Sequence, residues 1–217
     1  MKKLFLFMVM LLTISSGFCQ LNLPQFLNDS SDKKKKTGPS IRFHAGINFS
    51  GIGGESESYT GTLPGAFFGA SVSLFSISNE MAVNAGLIYS QQGSKYKSYQ
   101  YVPGGEGSTS NASVRLNYLA LPVTVKYQTK KGFFGEAGLR PGLLLSAKDK
   151  HDGESDNIKS DYKSFDMSLV FGAGYQFKNN IGVGVHYYPG IVNINKTNTY
   201  ALKDRNRNIS LGVYYGL

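Results

Sequence analysis

The sequence predicts an all-β fold, an eight-stranded antiparallel up-and-down barrel that crosses a membrane with its strands. Apolar residues recur at every second position in segments of about ten, the period of a strand with two unlike faces. The connections between these segments alternate between long and short, the asymmetry of outer-membrane barrels, whose turns are short on one side and loops long on the other. The face between the apolar positions carries Gly, Ser, Asn and a few charges rather than a water-facing coat of Lys and Glu. Small and polar residues fit a narrow lumen, and Ile, Val, Leu, Phe and Tyr fit lipid.

Residues 1–19 read as a secretory signal peptide. Lys2 and Lys3 form its charged start, Leu4 to Ile14 its apolar centre, and Ser15, Ser16 and Gly17 the small-residue run toward cleavage. Cleavage is placed after Cys19, leaving Gln20 first; the rival, a lipid-modified Cys19, is poorly served by the bulky Phe18 before it. Residues 20–40 form a polar, lysine-rich periplasmic linker with Pro24, Gly38 and Pro39 as breakers. Its run Lys33 to Lys36 reads as a solvated tail, or as an attraction to anionic headgroups or a periplasmic partner.

The barrel domain spans 41–217, with strands near 41–50, 65–76, 80–92, 113–127, 132–147, 164–178, 180–194 and 207–217. In the first, Ile41, Phe43, Ala45, Ile47 and Phe49 alternate with Arg42, His44, Gly46, Asn48 and Ser50. Two later segments are as plain, Ile181, Val183, Val185 and Tyr187 in one, Ile209, Leu211, Val213, Tyr215 and Leu217 in the other. Long connections fall at 51–64, 93–112, 148–163 and 195–206, and short ones at 77–79, 128–131 and near 178–180. Because the long ones follow odd-numbered strands, both chain ends belong on the periplasmic side. Phe49, Tyr89, Tyr127, Phe133, Phe177, Tyr187 and Tyr215 lie near segment ends and suit interfacial girdles. Pro122 and Pro141 fall inside strands of a sheet without edges, where proline removes a ladder donor, so each predicts a bulge. The apolar parity also changes there, from Leu116 and Tyr118 to Val123, Val125 and Tyr127.

Three stretches resemble the PorT-like outer membrane β-barrel proteins of Bacteroidetes. They are Leu116-Asn-Tyr-Leu-Ala-Leu-Pro122 leading to Lys126-Tyr127, Gly135-Glu-Ala-Gly-Leu-Arg-Pro-Gly-Leu-Leu-Leu-Ser-Ala-Lys148, and Phe171-Gly-Ala-Gly-Tyr175 followed by Tyr188-Pro-Gly-Ile-Val-Asn193. The resemblance implies an outer-membrane barrel in the cell envelope. The family takes its name from a member linked to secretion and gliding machinery, and no motif here transfers that role.

Charged residues make up 17% of the chain, and Gly at 26 with Phe and Tyr at 14 each excludes disorder and helical bundles. The net charge of +9 does not point to nucleic acid, because two of the 23 Lys and Arg lie in the leader and four in the lysine run. A single Cys and three His leave no zinc module and no disulfide framework. No apolar stretch is long enough for a helical span.

Strand parity places Arg42, His44, Glu136, Arg140, Asp166, His186 and Tyr214 in the lumen. Charges inside a low-dielectric wall must be paired, so they are expected to form a structural network rather than a catalytic, cofactor or metal site. Glu136 and Arg140 stand roughly 13 Å apart along their strand and need partners on other strands. His151, near Asp149, Asp152 and Asp156, is the rim histidine a catalytic reading would require. The acids Asp152, Glu154, Asp156 and Asp161 match no EF-hand spacing. The expected protein is therefore a monomer without enzymatic activity or cofactors. Its expected partners are outer-membrane lipid, lipopolysaccharide and an envelope or extracellular protein met through the loops. The alternatives are a small-ligand or transport barrel, or an accessory of a secretion system. Among substitutions, Val185→Arg on the lipid face is expected to be harmful and Gly184→Ser in the lumen milder.

Overall fold

The computed structural model describes residues 41–54, 59–100, 108–151, 153–196 and 203–217. The expected signal peptide and linker lie outside the described residues. The strands are β1 (Ile41–Gly54), β2 (Tyr59–Ser76), β3 (Met81–Gln100), β4 (Ser108–Ala120), β5 (Val123–Gln128), β6 (Phe133–His151), β7 (Glu154–Asn157), β8 (Phe165–Gln176), β9 (Ile181–Pro189) and β10 (Asp204–Gly216). Each pairs antiparallel with its neighbours, and β10 returns to β1, so the sheet closes on itself. Strands β4 and β5 are two parts of one stave between β3 and β6, and β7 folds back on the end of β6 outside the ring. The ring therefore has eight staves, as the alternation predicts.

Leu217 N donates to Ile41 O at 2.9 Å, which sets both barrel ends together. The connections 77–80, 129–132 and 177–180 share that end, the turn end of the molecule. The faces follow the parity read from the sequence. Ile41, Phe43, Ile47 and Phe49 are exposed outward on β1, as are Val183, Val185, Leu211, Val213 and Tyr215 on β9 and β10. Asn48, Ser50, Asn208 and Ser210 are buried inward.

Two expectations are corrected. The strands reach further than their apolar alternation, with 18, 20 and 19 residues in β2, β3 and β6. A tilted strand crosses a bilayer in roughly 9–11 residues. Much of the expected loop 93–112 is therefore paired hairpin, from Gly93↔Arg115 to Gln100↔Ser108. Alternation could not reveal these extensions, because where water lies outside, the outward face has no reason to be apolar.

The second correction concerns the prolines. Ala120↔Gly142 and Val123↔Leu139 continue one register across Pro122, and so do Ile88↔Ala120 and Ala85↔Val123 on the other side. No residue is inserted at Pro122 or opposite Pro141. Leu121 N donates to Pro141 O and Gly86 N to Pro122 O, each at a pair whose return bond the proline cannot make. The change of apolar parity has another origin: Leu116 and Tyr118 face inward, 0% and 1% exposed, because the lumen there is apolar. The bulge in this part of the wall is at Leu145, between Asn117↔Ser146 and Tyr118↔Leu144.

A cross-strand row of glycines, Gly46↔Gly212↔Gly184↔Gly174, thins one side of the wall. Inward-pointing Phe67 and Phe134 fill the space. A Cβ on Gly212 would meet Phe67 Cζ at 2.7 Å, and one on Gly184 would meet Ala173 O, Phe134 Cζ and Tyr214 Cε2 at 3.1 Å. A serine at Gly184 therefore has to press against two aromatic ring edges, which must give by a few tenths of an ångström. Overpacking of this kind costs about 1–3 kcal/mol, and the urea midpoint of reversible refolding into vesicles should fall accordingly.

Candidate functional site

The interior of the barrel gathers the polar chemistry, and register explains how. Glu136 on β6 and His186 on β9 both stand opposite Gly172 of the intervening β8. A Cβ on Gly172 would meet His186 Nε2 at 2.5 Å and Glu136 Cγ at 2.9 Å, so glycine lets the two side chains bridge over a stave. His186 Nε2 lies 2.5 Å from Glu136 Oε1, and Tyr214 OH lies 2.9 Å from His186 Nδ1. With an ionised carboxylate, Nε2–H donates to Glu136 and leaves Nδ1 to accept from Tyr214.

The cluster extends toward the turn end. His44 Nε2 is 2.6 Å from Ser71 Oγ, and its ring meets Tyr214 edge-on with centroids 4.9 Å apart. Lys126 Nζ sits 3.9 Å over the Phe134 ring. Arg42, His44, Lys126, Glu136, His186 and Tyr214 border one cavity of about 40 Å³. A water needs roughly 10–15 Å³ on this measure, so the space admits a few waters and no organic ligand.

Arg140 and Asp166, which belong to the same expected network, fall in a separate layer nearer the hairpins. The Arg140 guanidinium lies 4.3 Å over the Tyr188 ring rather than on a carboxylate. Asp166 accepts from Asn206 Nδ2 at 2.8 Å and from Met167 N at 2.8 Å. Asn206 also donates to Tyr118 OH at 3.1 Å, and Asn208 joins Asn48 at 3.3 Å. All seven residues singled out from strand parity thus point inward, but in two groups.

Beyond this layer the hairpin end is closed by apolar side chains. Ile52, Val114, Leu116, Tyr118, Leu144, Ala147, Tyr162 and Ile194 form one buried cluster. Lys163 N donates to Ile194 O at 2.7 Å, Lys196 N to Asp161 O at 2.8 Å and Ile194 N to Asp204 O at 2.9 Å. These bonds draw the segments carrying Tyr162 and Ile194 across the opening. Tyr162 OH lies 3.1 Å from Tyr59 OH. Burial, reinforced by Tyr59, holds the Tyr162 hydroxyl well above its ordinary pKa. Burial and the bond to Asp149 do the same for Tyr96. Both hydroxyls therefore stay protonated at neutral pH.

Sequence reading set Asn48 and Tyr188 on the polar face without giving them partners, and it missed Lys126, Asn206 and the apolar cap. The signal for Lys126 was available: unbroken parity through Pro122 puts Thr124 and Lys126 inside, and both are buried. The rim histidine His151 stands 3.8 Å from Asp149 and 3.7 Å from Asp156, on a hairpin face remote from the luminal cluster. Asp152 lies outside the described residues. Among the described residues, no group of three or more His, Cys, Asp and Glu is arranged to hold a metal ion.

No curated protein matches this sequence. Among solved structures, neisserial surface protein A is similar, with a TM-score of 0.51 at 16% identity over 81% of this chain and 96% of that one. Ail, the attachment invasion locus protein of Yersinia pestis, is similar at 0.45 and 15% identity, over 82% of this chain and 99% of its own. OprG from Pseudomonas aeruginosa gives 0.41 and 10% identity, over 83% of this chain and 96% of its own. The likeness to neisserial surface protein A is one of fold. The outer membrane protein beta-barrel domain family matches residues 22–196. With most of the chain matched, and with a closed ring of staves that is apolar outside and polar within, this protein belongs to the outer membrane protein beta-barrel domain family.

Proposed function

We propose that the protein is a monomeric, non-catalytic outer-membrane barrel that acts through its projecting hairpins, with both chain ends in the periplasm. The observation that carries this reading is the filled lumen. The polar half leaves a cavity of about 40 Å³, and the hairpin half is closed by Tyr162, Ile194 and their neighbours. A transport barrel needs a continuous path, and an eight-stranded ring leaves room for little beyond its own side chains. The hairpins are long and paired well beyond the membrane, as an interaction surface requires. Their partners are envelope lipid and an envelope or extracellular protein, with no role for nucleic acid. The PorT-like stretches support placing the protein among the Bacteroidetes barrels of that type, with a secretion accessory as one context.

The test is electrical. Reconstituted in planar bilayers, the barrel should give no conductance above background; a steady channel would replace this reading with the transport one. Orientation has its own test on intact cells. A cysteine introduced at Gly153, on the β6–β7 hairpin, should be labelled from outside, and one at Asn179, in the turn before β9, should not.

A further inference from the structure

Above the apolar band, the charged side chains among the described residues on one side of the outer wall are all cations. Strands β3, β4 and β6 are consecutive staves there, and their outward residues form rows across the wall. Tyr89, Leu119 and Leu143 make an apolar row, followed by the polar row Gln91, Asn117 and Ser146. The next row holds Arg115 directly opposite Lys148, and the one after it Lys95 and Lys150 flanking Ser113. Lys97 stands one step beyond on β3, opposite Asn111. Lys95, Lys97, Lys148 and Lys150 are exposed. Among the described acids of these hairpins, Asp149, Glu154 and Asp156 belong to the other face, since Asp149 opposes Asp156 and His151 opposes Glu154, and Asp161 lies in the segment drawn over the opening, where its carbonyl accepts from Lys196 N.

Such a patch is costly for a sheet left to itself. Like charges directly opposite on paired strands repel, with Cβ atoms about 4.5–5.5 Å apart. Its height is equally informative. Two residues along a strand cover roughly 6.6 Å, or about 5 Å of height at the usual barrel tilt. The Arg115–Lys148 row therefore has its backbone about 10 Å above the last apolar row, from where the long Arg and Lys side chains reach down to the headgroups that add about 5–8 Å to each side of the hydrocarbon.

We propose that Lys95, Arg115, Lys148 and Lys150 form a binding site for the phosphate-bearing headgroup of an anionic outer-leaflet lipid. The guanidinium of Arg115 supplies a planar fork for phosphate oxygens, and the ammonium groups around it supply point charges. Gln91 Oε1 accepts from Arg115 Nη1 at 3.4 Å and holds the guanidinium against the wall. The site rests on the proposed placement of the hairpins on the outer side.

The full chain is refolded into vesicles of phosphatidylcholine alone and of phosphatidylcholine with bisphosphorylated lipid A, and the lipid retained on the extracted barrel is measured. The wild type should retain lipid A in preference to phosphatidylcholine, and less so at high salt. Each cation near an anionic surface is worth roughly fivefold, so Arg115→Gln with Lys148→Gln should lower retention by roughly twenty-five-fold. Lys130→Gln, in the turn before β6, should leave retention unchanged. In phosphatidylcholine alone the double variant should be at least as stable as the wild type, because it removes a like-charge pair. Equal retention by the double variant and the wild type would overturn the site. So would displacement of lipid A by inorganic phosphate or by soluble heparin, which would assign the patch to a soluble anion. Failure of the wild type to insert into either vesicle would count against the barrel reading itself, whereas labelling of the turn instead of the hairpin on cells would remove the outer-leaflet placement.

Discussion

Glu136→Gln should lower the stability of the refolded barrel by about 3–5 kcal/mol, the usual consequence of breaking a buried charge pair. Glu136 is the carboxylate that faces Arg42, Lys126, His44 and His186 around the inner cavity. Gln keeps the size of the side chain and can still bond His186, so the loss isolates the charge. The cations would remain in a low-dielectric wall without their counter-ion. Urea midpoints in a reversible vesicle assay read the effect. The partner is identified by coupling: Lys126→Met should recover part of the loss in the Glu136→Gln background. Arg140→Met should recover less than Lys126→Met, because Arg140 rests on Tyr188 and reaches Glu136 only through the Tyr188–His186 stack. A stable Glu136→Gln barrel would show that the carboxylate is not required for structure.

Val185→Arg should cost about 2–4 kcal/mol, the range for a cation on the lipid face of a barrel near the bilayer midplane. Val185 is 49% exposed, stands between Ala173 and Leu211 on the adjacent staves, and belongs to the apolar outer band. The same assay with Arg205→Val, on the outward face of β10 beyond the band, should show little change, since that side chain is exposed opposite Gly53. Equal tolerance at both positions would remove the bilayer from the account of that face.

How much of this was legible in the sequence follows from which quantities are periodic. A strand exposes its two faces at a period of two, so Ile41 to Ser50 and Ile209 to Leu217 disclose both faces without any knowledge of neighbours. Closure followed from the even number of such segments and their alternating connections. Pairing inside the lumen is a different matter. Glu136 meets His186 only because β8 lies between them and carries Gly172 at the crossing point. That depends on the register of two separate ladders, which no local pattern records. The parity change at Pro122 was visible but has two possible causes, an inserted residue or an apolar lumen, and Leu116 and Tyr118 decide for the second by facing inward. The long hairpins escaped because their polar outward faces carry no alternation, although the cations that mark them were in plain view.

From Ile209 onward, odd-numbered residues of β10 face lipid while the even-numbered ones face a filled interior. Spin labels on single cysteines at Asn208, Ile209, Ser210, Leu211 and Val213, with Cys19 replaced by serine, test this placement in vesicles. Accessibility to oxygen, which partitions into lipid, should be high at Ile209, Leu211 and Val213. At Asn208 and Ser210, both 1% exposed, it should be low, and so should accessibility to a water-soluble relaxation agent. High accessibility to the water-soluble agent at Asn208 and Ser210 would contradict the account, for it would mean an open aqueous channel where the structure places packed side chains.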